Sequence, residues 1–402
     1  MTTAEMSTEG LAHLHDAMTS HVDGGELPGL ITLVARGDEV QIDIIGSPSF
    51  TNRSPLARSA IFRIASLTKP ITAVATMSLV EQGTLRLDQP VEDLLPELAH
   101  RRVLRAIDSE LDDTVAADRP ITVEDLLSFR MGFGSVMAPP DSYPIQRAEA
   151  ELGLQSIGGP PWPPVAYDVD GWMAALGSLP LMYQPGTQWR YNTSAQVLGV
   201  LVARAAGTDS GTVMRERIFE PLNMPDTGFT VPADRLGRLT TAYAPDVQTG
   251  DPCVLDDPTD SWWSNPPSFP DASGWLVSTI DDCWSFVSML LAGGSLRGER
   301  VLSRESVSLM TTDRLSRAQR EANGIFLGEH GGWGLGMEVP ATGSTAPLPC
   351  GFGWDGGTGT VWRSNPQSGV TGILFTQRAF TSPVPPPVVD NFWAAVNAAT
   401  IG

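Results

Sequence analysis

The stretch from about Ser66 to Gly83 constrains the fold most. It reads as a helix that is apolar nearly all round, closed by Gly83 as a C-terminal stop. A helix without a polar face is a buried helix, so the rest of the chain must pack around it. Pro70 falls at the edge of the first turn, where a missing N–H does least harm. In that turn stands Lys69, the one lysine among 26 basic residues, the others all being arginine. Arginine does not release its proton in a protein, whereas a desolvated lysine becomes a base. Ser66 lies three positions earlier on the same helical face, within reach of the amine. The helix start also offers unpaired N–H groups and a positive dipole end to a developing anion. A hydroxyl, a base one turn away and an anion-stabilising end are what an acylable serine needs.

Strand patterns lie near both chain ends. Pro28-Gly29 opens a run from Leu30 to Arg36, Gly37-Asp38 turns it, and Val40 to Ile45 returns as a hairpin. Residues 61–64 form a short strand end. Toward the C-terminus, Gly334 to Val339, Thr358 to Arg363 and Gly369 to Gln377 read as strands, with Ser364-Asn365-Pro366 as a turn. Helical patterns occupy 7–23, 91–98, 122–129, 195–206, 211–219, 280–292, 303–311 and 389–399. The arrangement predicts an α+β fold in which one antiparallel sheet is built from both chain ends, flanked by helices, with a mostly helical lobe inserted. We expect one catalytic unit over 1–402, with an α/β lobe of roughly 1–65 plus 325–402 and a helical lobe of roughly 66–324. Two Pro- and Trp-rich stretches, 158–164 and 260–275, read as rims of a substrate cavity.

The charge balance narrows the partners. A net charge of −20 disfavours nucleic acid and anionic membrane, and weakly disfavours anionic substrates. The 42% hydrophobic content supplies a core, so disorder is not expected. Cys253, Cys283 and Cys350 are odd in number and lack a CxxC, so neither a disulfide framework nor a zinc site is expected. His13, His15 and His21 fall in the 7–23 helix and read as a solvated face instead of a metal site. Met1 to Met6 shows no basic or apolar signal region, and no apolar run reaches bilayer length. A cytoplasmic protein with no cofactor is the expectation, its oligomeric state open.

Two further constellations bear on Ser66. Tyr191 stands at a loop-to-helix junction, Trp189-Arg190-Tyr191-Asn192, where its phenol beside a lysine can share in taking the serine proton. Gly353-Trp354-Asp355-Gly356-Gly357-Thr358-Gly359 heads a strand whose glycines let the backbone approach a ligand. There the Gly357 N–H can face the Ser66 N–H across an oxyanion.

Together these stretches resemble the serine β-lactamase-like family, which includes penicillin-binding DD-peptidases, class C β-lactamases and family VIII carboxylesterases. The likeness runs from roughly Leu27 to Gln377 and includes Gly83 to Asp88, Ile121 to Leu127 and Gly274 to Asp282. It implies a β-lactamase/transpeptidase-like fold with Ser66 as nucleophile of the S-x-x-K motif, Lys69 as its lysine and Tyr191 as the tyrosine of Y-x-N. It places the K-T-G strand, and thus substrate binding, on Trp354, Asp355 and Gly356. Two departures matter. Position 193 is Thr193 where that motif has asparagine, with Asn192 one place early. The K-T-G lysine is replaced by Trp354, and in β-lactamases and DD-peptidases that cation helps hold a substrate carboxylate. The W-x-G form resembles the esterase branch, although Arg363 or Arg190 remains a candidate cation. The expected activity is ester hydrolysis through a Ser66 acyl-enzyme with Lys69 or Tyr191 as general base. The alternatives are a β-lactamase, D-aminopeptidase or amidase of the same family, or an acyltransferase. The substrate is thus a small-molecule ester or amide.

Overall fold

In the computed structural model, residues 6–154, 165–246 and 248–400 are described. A seven-stranded antiparallel sheet runs in the spatial order 331–333, 338–340, 352–356, 360–365, 370–376, 29–36 and 39–46. The two chain ends meet between the fifth and sixth of these strands, where Leu33 pairs with Ile373. Gly29–Arg36 and Val370–Thr376 are buried almost throughout, so both faces of the sheet must be covered. Helices Thr8–Asp23 and Pro387–Thr400 cover one face, packing Leu14, Met18, Phe392 and Val396 against Leu30, Val34 and Leu374. The other face lies on the main core, where Ile31, Leu33 and Phe375 meet Phe62, Leu67 and Ile71.

Between the two strand groups the chain is mainly helical, and its centre is the helix Thr68–Glu81. Every residue from Thr68 to Leu79 is buried. The polar members of that run are satisfied locally: Thr72 and Thr76 each donate to the carbonyl four residues back, and Ser78 to the one three back. Helix Thr193–Ala206 packs beside it and ends at Gly207 in a left-handed cap. The α+β architecture, with the sheet drawn from both chain ends, is the one the sequence predicts.

Several local readings need correction. Residues 91–98 form two short 3-10 turns because Pro96 interrupts any longer helix. Gly334 to Val339 is not one strand. Residues 331–333 and 338–340 pair across it, and Gly334 to Met337 make the connection. Gly336 there has φ 82°, and a Cβ on it would lie 2.2 Å from Ala73, so only glycine lets this hairpin rest on the buried helix. Phe352–Gly356 is a strand of its own, at the place where the resemblance puts the K-T-G strand, and it precedes the one read at Thr358 to Arg363, with Gly357 to Gly359 as the turn. Helices Pro144–Glu151 and Val169–Ser178 lie where no pattern was recognised.

His21 is buried, not solvated. It hydrogen-bonds with Glu26 and Asn391, and so ties the first helix to the last. The 260–275 stretch divides: Trp263 and Trp275 stack at 4.3 Å inside the core, whereas residues of 266–270 line a cavity. The other expected rim, 158–164, falls outside the described residues.

Candidate active site

Ser66 sits in a 3-10 turn, Ala65–Leu67, immediately ahead of the buried helix and not within it. Two interactions shape the turn. Ala65 adopts φ 41°, a left-handed conformation unusual for a residue with a Cβ, and its carbonyl accepts the Thr68 hydroxyl at 2.6 Å. Just upstream, the buried Arg63 forms an ion pair with the buried Asp256, anchoring the strand that delivers the turn.

The structure brings the three predicted groups together. The Lys69 Nζ lies 2.8 Å from Ser66 Oγ, and the Tyr191 hydroxyl reaches the same oxygen at 2.8 Å. Lys69 also donates to the Ser273 carbonyl at 2.8 Å and lies 4.5 Å from the centre of the Tyr191 ring. Burial pushes the Lys69 ammonium from its ordinary 10.5 down to about 7, with Asp271 opposing the shift. Burial pushes the Tyr191 phenol the other way, above its ordinary range, against the pull of its bonds to Ser66 and Trp354. At neutral pH the phenol therefore keeps its proton, while the amine is free to lose one.

Tyr191 is held by aromatic neighbours. Phe326 packs at 4.7 Å and Trp354 at 5.6 Å between ring centres, and the Trp354 indole N–H donates to the Tyr191 oxygen at 2.8 Å. Trp354, expected to bind substrate, thereby also contacts Tyr191, a role that sequence reasoning did not give it. A residue that sequence reasoning missed is Asp271, buried behind Lys69. Its carboxylate accepts from the Ser273 N–H at 2.7 Å and from Gln196, on the helix that follows Tyr191, at 3.0 Å. It therefore fixes the loop whose carbonyl holds Lys69. A buried carboxylate in an irregular Pro- and Trp-rich stretch leaves no periodic signal.

The strand ending at Gly356 is drawn against the serine turn. Thr358 donates to the Arg63 carbonyl, and Thr360 donates to that of Ile64 at 3.1 Å. A Cβ on Gly356 would stand 2.3 Å from the Ile64 oxygen. The Gly357 carbonyl accepts the Phe380 N–H at 2.7 Å. Gly357, Ser66, Trp354 and Asp355 line one small pocket of about 70 Å³, together with Ser135, Asn192 and Phe326. Gly356 lies at the contact with the turn and does not line the pocket. Asn192, one place early for the motif, is at the pocket wall, whereas Thr193 begins the helix.

Neither candidate cation lines this pocket. The buried Arg363 is engaged by Glu338 at 2.5 Å and Asp355 at 2.7 Å, and the Arg190 guanidinium bonds the Tyr183 hydroxyl at 2.6 Å. Burial raises the Glu338 carboxyl to about 7, with Arg363 pulling it back. A larger cavity of about 910 Å³ opens elsewhere, between 209–235 and 266–270, and includes none of Ser66, Lys69 and Tyr191. The small pocket is the one whose wall includes Ser66 and Tyr191. Among the described residues, no group of three or more His, Cys, Asp or Glu could hold a metal, and no helix is long and apolar enough to cross a membrane.

Comparison with known proteins gives consistent matches. The family model described as Beta-lactamase matches residues 14–388. Protein Rv1367c of Mycobacterium tuberculosis (strain ATCC 25618 / H37Rv) is 38% identical over 357 residues, 86% of this chain and 84% of its own length. Esterase EstB of Burkholderia gladioli is 26% identical over 374 residues, 88% of this chain and 87% of its own. Among solved structures, EstCE1, a hydrolase with promiscuous acyltransferase activity, superposes with a TM-score of 0.78 at 23% identity, covering 96% of this chain and 98% of that one. At that identity the likeness speaks for the fold.

Proposed function

The chain belongs to the beta-lactamase family, and from that premise we propose that it is a serine hydrolase that cleaves carboxylic esters through a Ser66 acyl-enzyme. One observation carries the reading: Ser66 Oγ lies 2.8 Å from both the Lys69 amine and the Tyr191 hydroxyl, with the amine held at a pKa of about 7. Neutral Lys69 takes the serine proton as Oγ attacks the carbonyl carbon. The resulting oxyanion lies between the N–H groups of Ser66 and Gly357. When the tetrahedral intermediate collapses, the alkoxide leaves with the proton from Lys69, relayed through the Tyr191 hydroxyl. Water then repeats the sequence on the acyl-enzyme and releases the acid and free Ser66. Of the two candidate bases the geometry and burial favour Lys69, while Tyr191 serves as proton relay and orienting donor.

Ester in preference to β-lactam or peptide is supported by the missing second lysine. The position holds Trp354, whose N–H is turned to Tyr191, and Arg363 is already matched by two carboxylates. A substrate carboxylate finds no free cation among the described residues of the pocket. The relative named Esterase EstB points the same way. The test is turnover of a short-chain p-nitrophenyl ester and of a chromogenic cephalosporin by the wild type and by Ser66→Ala. Ester turnover that disappears in the variant supports the reading; cephalosporin turnover without ester turnover overturns it.

A further inference from the structure

The wall of the Ser66 pocket is largely aromatic. Four aromatic rings line it, Tyr191, Phe326, Trp354 and Phe380, and among its described residues Asp355 is the one ionisable side chain of formal charge. Asp355 stands where the family motif has a neutral threonine. It is half-buried and shares the buried Arg363 with Glu338, two carboxylates to one guanidinium, so the cluster offers no net positive charge. Aromatic faces beside a carboxylate form the standard environment for a substituted ammonium ion, which the ring quadrupoles attract and water solvates poorly. The overall charge of −20 draws such a cation toward the molecule.

Lys69 already lies over the Tyr191 ring and Arg363 over the Trp354 ring, which leaves Phe326 and Phe380 to receive a ligand cation. We propose that the preferred substrate is an ester whose alcohol portion carries a tertiary or quaternary ammonium group, held by these two rings and Asp355. The inference rests on the ester-hydrolase reading and names the substrate class for that site. A pocket of about 70 Å³ accommodates only a short acyl group beside Ser66. The ammonium head then lies farther out, against the half-buried Phe326 and Phe380. Carboxylate-bearing esters are rejected at the same place.

The experiment compares kcat/KM for acetylcholine and for 3,3-dimethylbutyl acetate, which replaces the nitrogen by carbon and keeps the shape. The cationic ester is expected to be favoured roughly tenfold. The ratio should fall toward one in Asp355→Asn and, independently, in Phe380→Leu, which leaves the ion cluster intact. Binding of tetramethylammonium to Ser66→Ala provides a readout without turnover, and it too should weaken in both variants. If the neutral ester is hydrolysed with a ratio of one or below, the ammonium subsite is wrong and the esterase reading stands. If neither ester is hydrolysed and an organophosphonate leaves Ser66 unlabelled, the esterase reading itself falls and takes the subsite with it.

Discussion

The Trp354 indole N–H donates to the Tyr191 hydroxyl at 2.8 Å, on the oxygen whose own proton points to Ser66. In the proposed relay the donor grows in value as negative charge collects on the phenol oxygen, because a hydrogen bond to a charged group is worth roughly 1.5–3 kcal/mol. Trp354→Phe removes the donor and keeps most of the ring. We expect kcat to fall by about 10- to 100-fold with KM changed little, since each 1.4 kcal/mol is about tenfold. Steady-state kinetics on a neutral p-nitrophenyl ester measures it, and full retention of kcat would show that the contact only packs.

With Lys69 as the proposed base, the acid limb of kcat/KM is expected to follow its amine. The amine must be neutral to accept the serine proton, and burial holds it at about 7, so activity should rise with pH through that value. Asp271 raises the pKa, because a nearby negative charge favours the ammonium. Asp271→Asn keeps the size and the acceptor for the Ser273 N–H, requires Gln196 to turn its amide oxygen toward the new NH2, and removes that charge, so the limb should move to lower pH. A limb that moves upward or stays fixed would contradict the electrostatic link.

How much of this could be read in advance differs by element. The serine helix was legible because twelve consecutive buried residues leave no polar face to misread. The central strands were legible for a similar reason, as runs of aliphatic residues bounded by glycine. The Ser66–Lys69 spacing survives even though the serine sits in a 3-10 turn, because adjoining helical turns keep residues three apart on one side. Strand Phe352–Gly356 was absorbed into the next one because Gly353 and Gly356 weaken its pattern. Trp263 and Trp275 were taken for a rim since Pro-rich loops usually face water, yet their stacking makes them core. The roles of Asp271 and Trp354 depend on contacts between segments distant in sequence, which no local pattern records.

Holding Lys69 in the core has a stability cost with a defined pH window. Its folded pKa lies below the unfolded value, so the unfolded state binds more protons between about 7 and 10.5, and stability rises with pH across that range. The cost is fully present below pH 7. Lys69→Met fills a similar volume without the charge, although it leaves the Ser273 carbonyl without its donor. We expect the variant to be inactive but to melt higher than wild type at pH 6, by roughly 1–3 kcal/mol of stability. The gap should narrow toward pH 10, and thermal unfolding at three pH values tests both parts.

Gly356 tests whether the contact between the sheet and the serine turn has catalytic consequences. A Cβ there would meet the Ile64 oxygen at 2.3 Å and the Thr360 hydroxyl at 2.2 Å, closer than real Cβ contacts occur. The Thr360 hydroxyl is itself bonded to the Ile64 carbonyl, so neither group can yield without opening that link. Gly356→Ala must therefore move the strand away from the turn and carry the Gly357 N–H off its line to the oxyanion. Overpacking of this kind costs about 1–3 kcal/mol in stability, and loss of an oxyanion donor costs about 10²–10³ in kcat. We expect a folded protein with a lowered melting temperature and kcat down by about 10², while the Lys69-dependent acid limb stays in place. The combination separates the two halves of the site. If kcat is unchanged in a destabilised Gly356→Ala, the Gly357 amide does not hold the oxyanion and another donor must be sought near Ser66.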